Sequence, residues 1–397
     1  KTAKSERLSP KTAKTLYGKN IFSSVSRLER FAGCPFSFFA EYGLKAEERR
    51  LYQLNTPDLG SLFHEVLELF SNKLEQDSLP WTSLTKEETT ARIHAAVEDA
   101  APRLGNRILL DSAANQYLIR RLKRISTRAA WTLVQHLQQG DFVPAGYEVG
   151  FGAHEALPPI VIRLQDGGSL ILNGKIDRVD LLDANGTRYV KIIDYKSGNK
   201  TFHFQDIYYG LQLQLLVYLD AYLKYYKKTG ASFKPGGVFY FRITDPTLAL
   251  DEELSAEAIE KILYEKMRMS GLLLQEDVLI HSLDHSLAES RSSAIVPVGY
   301  TKKGDPTAAS NLATEEQYAA ILDFVATRTQ EIGDAMKAGI ITPAPYRDGQ
   351  RTPCSYCSYR SLCRHSYGEA PRWRKLKKID KADFWETITP KQPPETE

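Results

Sequence analysis

The sequence is poor in cysteine and has no long hydrophobic segment. Only four Cys occur among 397 residues, and no apolar run reaches the roughly 18 residues that a membrane-spanning helix needs. The first 20 residues, KTAKSERLSPKTAKTLYGKN, lack the apolar stretch of a secretory signal. We therefore expect neither a membrane protein nor the disulfide framework typical of secreted chains. The chain begins with Lys rather than Met, so we expect a fragment of a longer protein.

Phosphate-binding glycine loops are also absent. Neither G-x-x-x-x-G-K-[ST] nor G-x-G-x-x-G occurs, which excludes ATP or dinucleotide binding through those loops. The net charge is only +3, yet basic residues are concentrated in residues 1–20, 119–128 and 371–381. Such segments on a nearly neutral protein favour a polyanionic partner. The alternative is that they are solvated helix faces or disordered tails.

Helical patterns dominate the first third of the chain. Residues 56–76 carry apolar residues at helical spacing, and Thr85 with Glu88 predicts a capping box for a helix over 86–100. In a helix over 117–138, three basic residues at i, i+4 and i+8 would share a face away from the apolar stripe. These are Arg120, Arg124 and Arg128.

Strand patterns begin near residue 142, in short segments rich in Val, Ile and Tyr, of which SLILNGKIDRVDLL (169–182) is the longest. The turn DANGT (183–187) predicts a hairpin, and a helix over 205–228 precedes a strand over 236–243. Further helices are predicted over 250–270 and 312–338, with a loop over 271–311. This order predicts an α/β fold in which a mixed sheet is flanked by helices.

The strand KIIDYKSG (191–198) ends in a carboxylate and an amine. Side chains alternate along a strand, so Asp194 and Lys196 point to one face. The short hairpin turn places Asp177 on the neighbouring strand, where the two carboxylates would repel each other unless a cation lies between them. Mg²⁺ suits such a pair, and Lys196 would stabilise an attacking hydroxide or a charged phosphate. The arrangement favours metal-assisted phosphodiester hydrolysis.

A surface salt bridge is the simpler explanation of an isolated D-x-K, so the surrounding motifs matter. His64 lies in GSLFHEVLE on the predicted helix over 56–76, where it could equally be a core histidine. Gln214 and Tyr218 are spaced i, i+4 on a later helix and can meet one ligand.

Four motifs occur in order over residues 60–218: G-x-x-x-H-E, G-K-I-D-R-V-D, D-Y-K-S-G and Q-L-x-x-Y. This order resembles the RecB-type PD-(D/E)XK nucleases, although Ile176 stands where the family pattern has Pro. The resemblance implies a restriction-endonuclease-like core that binds Mg²⁺ or Mn²⁺ through the side chains of His64, Asp177 and Asp194. It implies that Lys196 serves the attacking water and that Gln214 and Tyr218 support the site.

The cysteines have the spacing of a metal or cluster site. Cys354, Cys357 and Cys363 form C-x2-C-x5-C, and Cys34 lies far upstream among aromatic residues. Three thiolates leave a four-ligand site incomplete, so Cys34 is expected to complete it. An iron–sulfur cluster accepts four Cys. Zinc accepts the same ligands, but all-cysteine zinc sites usually show two close pairs, so the spacing favours the cluster over zinc.

CPFSFFAEYGL before the nuclease motifs and CSYCSYRSLC after them narrow the resemblance to the B subunits of AddAB-type helicase–nucleases. The resemblance implies a structural 4Fe-4S cluster that clips the N-terminal helices to the C-terminal end. It implies an exonuclease that degrades the 5′-ended strand (5′→3′) during repair of DNA double-strand breaks by homologous recombination. The expected partners are the A-type helicase–nuclease subunit, in a heterodimer, and single-stranded or duplex-end DNA. The expected location is the bacterial cytoplasm, near the nucleoid.

The basic face formed by Arg120, Arg124 and Arg128 would then bind DNA. Two alternatives remain: a non-catalytic DNA-binding scaffold with a structural cluster, and an iron–sulfur electron carrier, which would leave the carboxylate site without a role. The chain is divided into six segments: a lead-in with the first cluster ligand (1–55), a helical part with the His motif (56–140), the nuclease core (141–250), helices and a loop insertion (251–345), the Cys cluster (346–370) and a basic tail (371–397).

Overall fold

A computed structural model describes residues 6–47, 56–102, 113–248, 253–363 and 373–389. Parts of the expected lead-in (1–5 and 48–55), the end of the Cys segment (364–370) and the end of the basic tail (390–397) lie outside the described residues. No described helix has both the length and the apolar character needed to cross a membrane.

Helices occupy most of the first 140 residues and recur around the later strands. The described α-helices are α1 Pro10–Tyr17, α2 Val25–Gly33, α3 Pro35–Phe38, α4 Thr56–Gln76, α5 Lys86–Ala100, α6 Ala113–Gln138, α7 Phe204–Tyr208, α8 Gln214–Lys228, α9 Ala256–Lys266, α10 Asp277–Leu283, α11 Glu315–Lys337, α12 Arg360–Cys363 and α13 Lys381–Ile388.

The strands of the described residues fall into three sheets. They are β1 Asn20–Ser23, β2 Val143–Phe151, β3 Ile160–Arg163, β4 Ser169–Leu172, β5 Gly174–Ala184, β6 Thr187–Lys196, β7 Lys234–Arg242, β8 Ser270–Leu274, β9 Leu312–Ala313, β10 Tyr346–Arg347 and β11 Arg374–Lys375. The largest sheet has six strands in the order β2-β5-β6-β7-β8-β9. It contains both antiparallel and parallel neighbours, so the predicted mixed sheet flanked by helices is confirmed.

Local sequence patterns predicted several helices and turns correctly. The predicted helix over 56–76 is α4, and Thr85 and Glu88 form the reciprocal capping box that begins α5. The hairpin turn between β5 and β6 is also confirmed. Asn185 and Gly186 have φ of 52° and 74°, the left-handed conformation that a two-residue hairpin turn requires and that Asn and Gly adopt most readily.

Three expectations were wrong. The loop expected over 271–311 contains most of β8 and all of α10, because a short continuous apolar run such as SGLLL is a buried strand that shows no alternation. The segment SLILNGKIDRVDLL forms two strands in different sheets, since β4 pairs with β1 and β3 while β5 belongs to the main sheet. The single helix expected over 205–228 is broken between α7 and α8, where Gly210 has a φ of 73°.

A buried ionic cluster lies on strands β5 and β6, on the face of the sheet opposite Asp177. Arg178 donates two hydrogen bonds to Asp180, at 2.6 and 3.0 Å, and Lys191 lies 2.9 Å from the same carboxylate. Arg178 also stacks over the ring of Trp81. The second Asp of G-K-I-D-R-V-D therefore has charged partners of its own, and only Asp177 of that motif remains for the opposite face.

Candidate active site

Three carboxylates lie in a row across adjacent strands of the main sheet. The β5–β6 ladder pairs Arg178 with Ile193, so the next residues outward, Asp177 and Asp194, lie opposite each other. The β2–β5 ladder pairs residues 147 with 178 and 149 with 176, which places Glu148 opposite Asp177. Sequence reasoning brought Asp177 and Asp194 together correctly but missed Glu148.

Glu148, Asp177 and His64 offer ligand atoms within 4.8 Å of one another. Nδ1 of His64, on α4, lies 3.4 Å from the Asp177 carboxylate and 3.9 Å from that of Glu148. Glu148 has a φ of 45°, a strained conformation for a residue other than Gly and one that is concentrated at functional sites. Two carboxylates and an imidazole in this geometry fit a hydrated divalent cation.

Asp177 and Asp194 differ in how their oxygens are satisfied. One oxygen of Asp177 accepts a hydrogen bond of 2.6 Å from the backbone N–H of Tyr195, while the other faces His64. Asp194 is 1% exposed; one of its oxygens lies 2.5 Å from the Lys196 amine, and the other has no hydrogen-bond partner among the described residues. Buried polar oxygens normally have hydrogen-bond partners, so Asp194 can accept an additional ligand.

The charge of Asp177 raises the pKa values of the carboxyl groups on either side of it. Burial and the neighbouring Asp177 raise the pKa of Glu148 to about 7. Burial and Asp177 also raise the pKa of Asp194 to about 6, although Lys196 opposes this. Burial alone would lower the pKa of His64, but its hydrogen bond with Asp177 and the surrounding carboxylates raise it. Carboxylates that repel each other in a buried site are stabilised by a bound cation.

Lys196 lies at the end of β6 beside these groups. Its amine donates a hydrogen bond of 3.2 Å to the side-chain oxygen of Gln214, whose amide lies 3.3 Å from the hydroxyl of Tyr218. The sequence-predicted i, i+4 pair on α8 therefore does face the candidate site. Burial alone would lower the pKa of Lys196, but the charge of Asp194 raises it, so the amine is cationic at neutral pH.

Arg120, Arg124 and Arg128 line one groove on α6, as their spacing predicts. The groove has a volume of about 470 Å³ and also includes Lys123 and Trp131. Sequence reasoning missed Asp245, which lies three residues beyond the end of β7 and is 2.6 Å from Arg124 and 3.6 Å from Arg128. Because β6 and β7 run parallel and end together at Lys196 and Arg242, this contact brings the groove to the candidate active-site edge of the sheet.

The four cysteines surround one small cavity, which Pro343, Pro345 and Pro353 also line. None is disulfide-bonded, and burial raises the pKa of Cys34 to about 11. Cys34 is therefore brought to the same place as Cys354, Cys357 and Cys363, as the sequence predicts.

Comparison with known proteins shows the family to which the sequence is similar. Residues 23–364 match the family model described as the PD-(D/E)XK nuclease superfamily. A protein of Alkaliphilus oremlandii (strain OhILAs), named as the B subunit of an ATP-dependent helicase/deoxyribonuclease, is 43% identical over 95% of this chain and 33% of its own length. Proteins with the same name from Alkaliphilus metalliredigens (strain QYMF) and Anoxybacillus flavithermus (strain DSM 21510 / WK1) are 45% and 38% identical, over 88% and 95% of this chain and 30% and 33% of their own lengths. The chain thus spans about a third of these relatives.

Proposed function

The chain belongs to the PD-(D/E)XK nuclease superfamily, and from this premise we propose that it is the metal-dependent DNA exonuclease domain of a helicase–nuclease complex. The observation that carries the proposal is the row of Glu148, Asp177 and Asp194 across neighbouring strands, with Lys196 2.5 Å from Asp194. A structural salt bridge would not require three mutually repelling carboxylates beside a histidine.

We assign the metal site to His64, Glu148, Asp177 and Asp194. A bound Mg²⁺ or Mn²⁺ would supply a Lewis acid for the phosphate and lower the pKa of an attacking water. Asp177 would offer the ion the oxygen that faces His64, since its other oxygen already accepts the hydrogen bond from the Tyr195 N–H. Asp194 contributes an oxygen that accepts no hydrogen bond from a described residue.

Lys196 would then stabilise the negative charge that develops at the scissile phosphate. Its amine is held on two sides, by the carboxylate of Asp194 and by the side-chain oxygen of Gln214. Tyr218 fixes the amide of Gln214 in turn. A cation held in place before the reaction stabilises a transition state without further reorganisation.

The remaining assignments concern substrate and partners. The groove of Arg120, Arg124 and Arg128 would bind the phosphates of single-stranded or duplex-end DNA. These phosphates would replace Asp245 as the ionic partner of the arginines. We propose that the A-type helicase–nuclease subunit supplies the unwound DNA, in a heterodimer, and that this chain degrades the 5′-ended strand (5′→3′) during recombinational repair of double-strand breaks in the bacterial cytoplasm.

Cys34, Cys354, Cys357 and Cys363 would hold a 4Fe-4S cluster. The proposal is supported by the four thiols that surround one cavity, and by the sequence spacing C-x2-C-x5-C, which lacks the two close pairs usual in all-cysteine zinc sites. Such a cluster closes a loop between the two ends of the chain and would stabilise the fold by roughly 4–5 kcal/mol, by analogy with a long disulfide loop. Its role is then structural.

The substitution Asp194→Ala tests the proposal in the assembled helicase–nuclease. With linear duplex DNA labelled at one end, we expect metal-dependent degradation of the 5′-ended strand to be lost, while unwinding and the brown colour of the cluster remain. Asp183→Ala is a matched control, since Asp183 is exposed on the neighbouring strand β5. Unchanged degradation by Asp194→Ala would instead favour a non-catalytic DNA-binding scaffold.

A further inference from the structure

Glu29 joins the N-terminal helix α2 to the start of helix α8. Its side chain is 13% exposed. One oxygen accepts hydrogen bonds from the backbone N–H groups of Leu213, at 2.8 Å, and Gln214, at 3.1 Å. The other oxygen lies 3.0 Å from the amine of Lys200. A residue remote in sequence thus makes two contacts with the first turn of α8.

These contacts replace a cap that the local sequence does not provide. Leu213 occupies the N-cap position of α8, and no side chain of that turn caps the helix. The first N–H groups of a helix need acceptors from outside the helix, and a negative charge there also favours the helix dipole. The carboxylate of Glu29 provides both, so it fixes the position at which α8 begins.

Gln214 is the residue that connects this cap to the candidate active site. Its backbone N–H is bound by Glu29, while its side-chain oxygen accepts the hydrogen bond from Lys196. A shift in the first turn of α8 would therefore move the acceptor that holds the Lys196 amine. Misplacement of a catalytic group by about 1 Å can cost on the order of 100-fold in rate.

We propose that Glu29 is a positioning residue for Lys196 and acts through Gln214. The inference rests on the proposed nuclease function, and it adds a residue that lies outside the four family motifs. Glu29 is not itself within the metal site, so its loss should change how fast bound DNA is cut rather than how tightly DNA is bound.

The test compares four forms of the assembled helicase–nuclease: wild type, Glu29→Ala, Gln214→Ala and the double variant. For Mg²⁺-dependent hydrolysis of single-stranded DNA, we expect Glu29→Ala to lower kcat about 10-fold while KM stays within about twofold. Since the proposed path from Glu29 to Lys196 runs through Gln214, the double variant should match Gln214→Ala within about twofold. Glu29→Gln keeps an acceptor oxygen and should restore most of the rate.

Thr314→Ala is the control for a purely structural cap. Thr314 caps the long helix α11 through its hydroxyl, so its loss should lower the melting temperature and leave kcat unchanged. A second readout does not depend on activity. The rate at which an amine reagent labels Lys196, followed by mass spectrometry, should rise severalfold in both Glu29→Ala and Gln214→Ala.

Three results would overturn the inference. One is a double variant whose loss equals the product of the two single losses. Another is Glu29→Ala with the wild-type rate and wild-type labelling of Lys196. The third is a Thr314→Ala variant that loses kcat in parallel with its melting temperature. An inactive wild-type complex would contradict the proposed function instead, and the labelling experiment would still decide the role of Glu29.

Discussion

Metal binding by this chain should depend on pH through Glu148. The pKa of this carboxyl is raised to about 7 by burial and by Asp177, and a metal ion binds its deprotonated form only. Below pH 7 the ion must displace a proton, so affinity should fall as the pH falls. His64, whose pKa is also raised, adds to this dependence.

The magnitude follows from proton competition. For one proton with a pKa of about 7, the apparent dissociation constant is nearly unaffected at pH 8 and is raised about 10-fold at pH 6, which corresponds to about 1.4 kcal/mol. Asp194, with a pKa of about 6, should steepen the loss further below pH 6. The Glu148→Gln variant should bind metal more weakly at pH 8 and release about one proton fewer at pH 6.

Titration calorimetry with Mn²⁺ measures both quantities, if each titration is repeated in buffers of different ionisation enthalpy so that released protons are counted. The catalytically silent background of Lys196→Met would avoid turnover of any bound nucleic acid. A wild-type affinity that is constant between pH 8 and pH 6 would refute the reasoning, as would equal proton release by wild type and Glu148→Gln.

Three further predictions concern acid stability, the cluster and DNA binding. His136 is buried with a pKa lowered to about 3, whereas the unfolded residue takes up a proton below about 6.5. The free energy of unfolding should therefore fall by about 2 kcal/mol between pH 7 and pH 5. In urea titrations, His136→Phe should lose about 2 kcal/mol less than wild type over the same pH range. An equal loss in wild type and His136→Phe would contradict this prediction. Cys357→Ala should lose the visible absorbance and the iron of the cluster, and it should unfold at a lower denaturant concentration. Ser355→Ala should resemble wild type in its absorbance, iron content and unfolding. Retained iron in Cys357→Ala would exclude Cys357 as a ligand. Arg120→Ala should reduce the slope of log Kd against log salt for single-stranded DNA by about 0.7. Arg121→Ala removes the same charge from another face of α6 and should leave the slope unchanged. Identical slopes for the two variants would argue against DNA binding in the groove.

The sequence predicted the part of the site that depends on local geometry. Side-chain alternation along β6 and a two-residue hairpin turn suffice to place Asp177 beside Asp194, because register follows from the turn. The i, i+4 spacing likewise placed Gln214 and Tyr218 on one face of α8. Each of these inferences needed only neighbours in the chain.

The residues that were missed depend on contacts between distant segments. Glu148 is a single acidic residue in a strand-like segment, and no sequence pattern indicates its left-handed backbone conformation at φ 45°. Asp245 meets Arg124 only because the segment after β7 lies beside α6. Glu29 resembles any exposed acid of an amphipathic helix, although it caps α8. Such contacts are set by tertiary packing, which local patterns in a single sequence do not reveal.

Anomalous diffraction from crystals soaked in Mn²⁺ tests the central claim most directly. The account predicts a manganese peak between the carboxylates of Asp177 and Asp194, with Glu148 and His64 around it and oxygen ligands at about 2 Å. The peak should vanish in Asp177→Ala crystals. Crystals in which manganese binds elsewhere and leaves this row of carboxylates empty would contradict it.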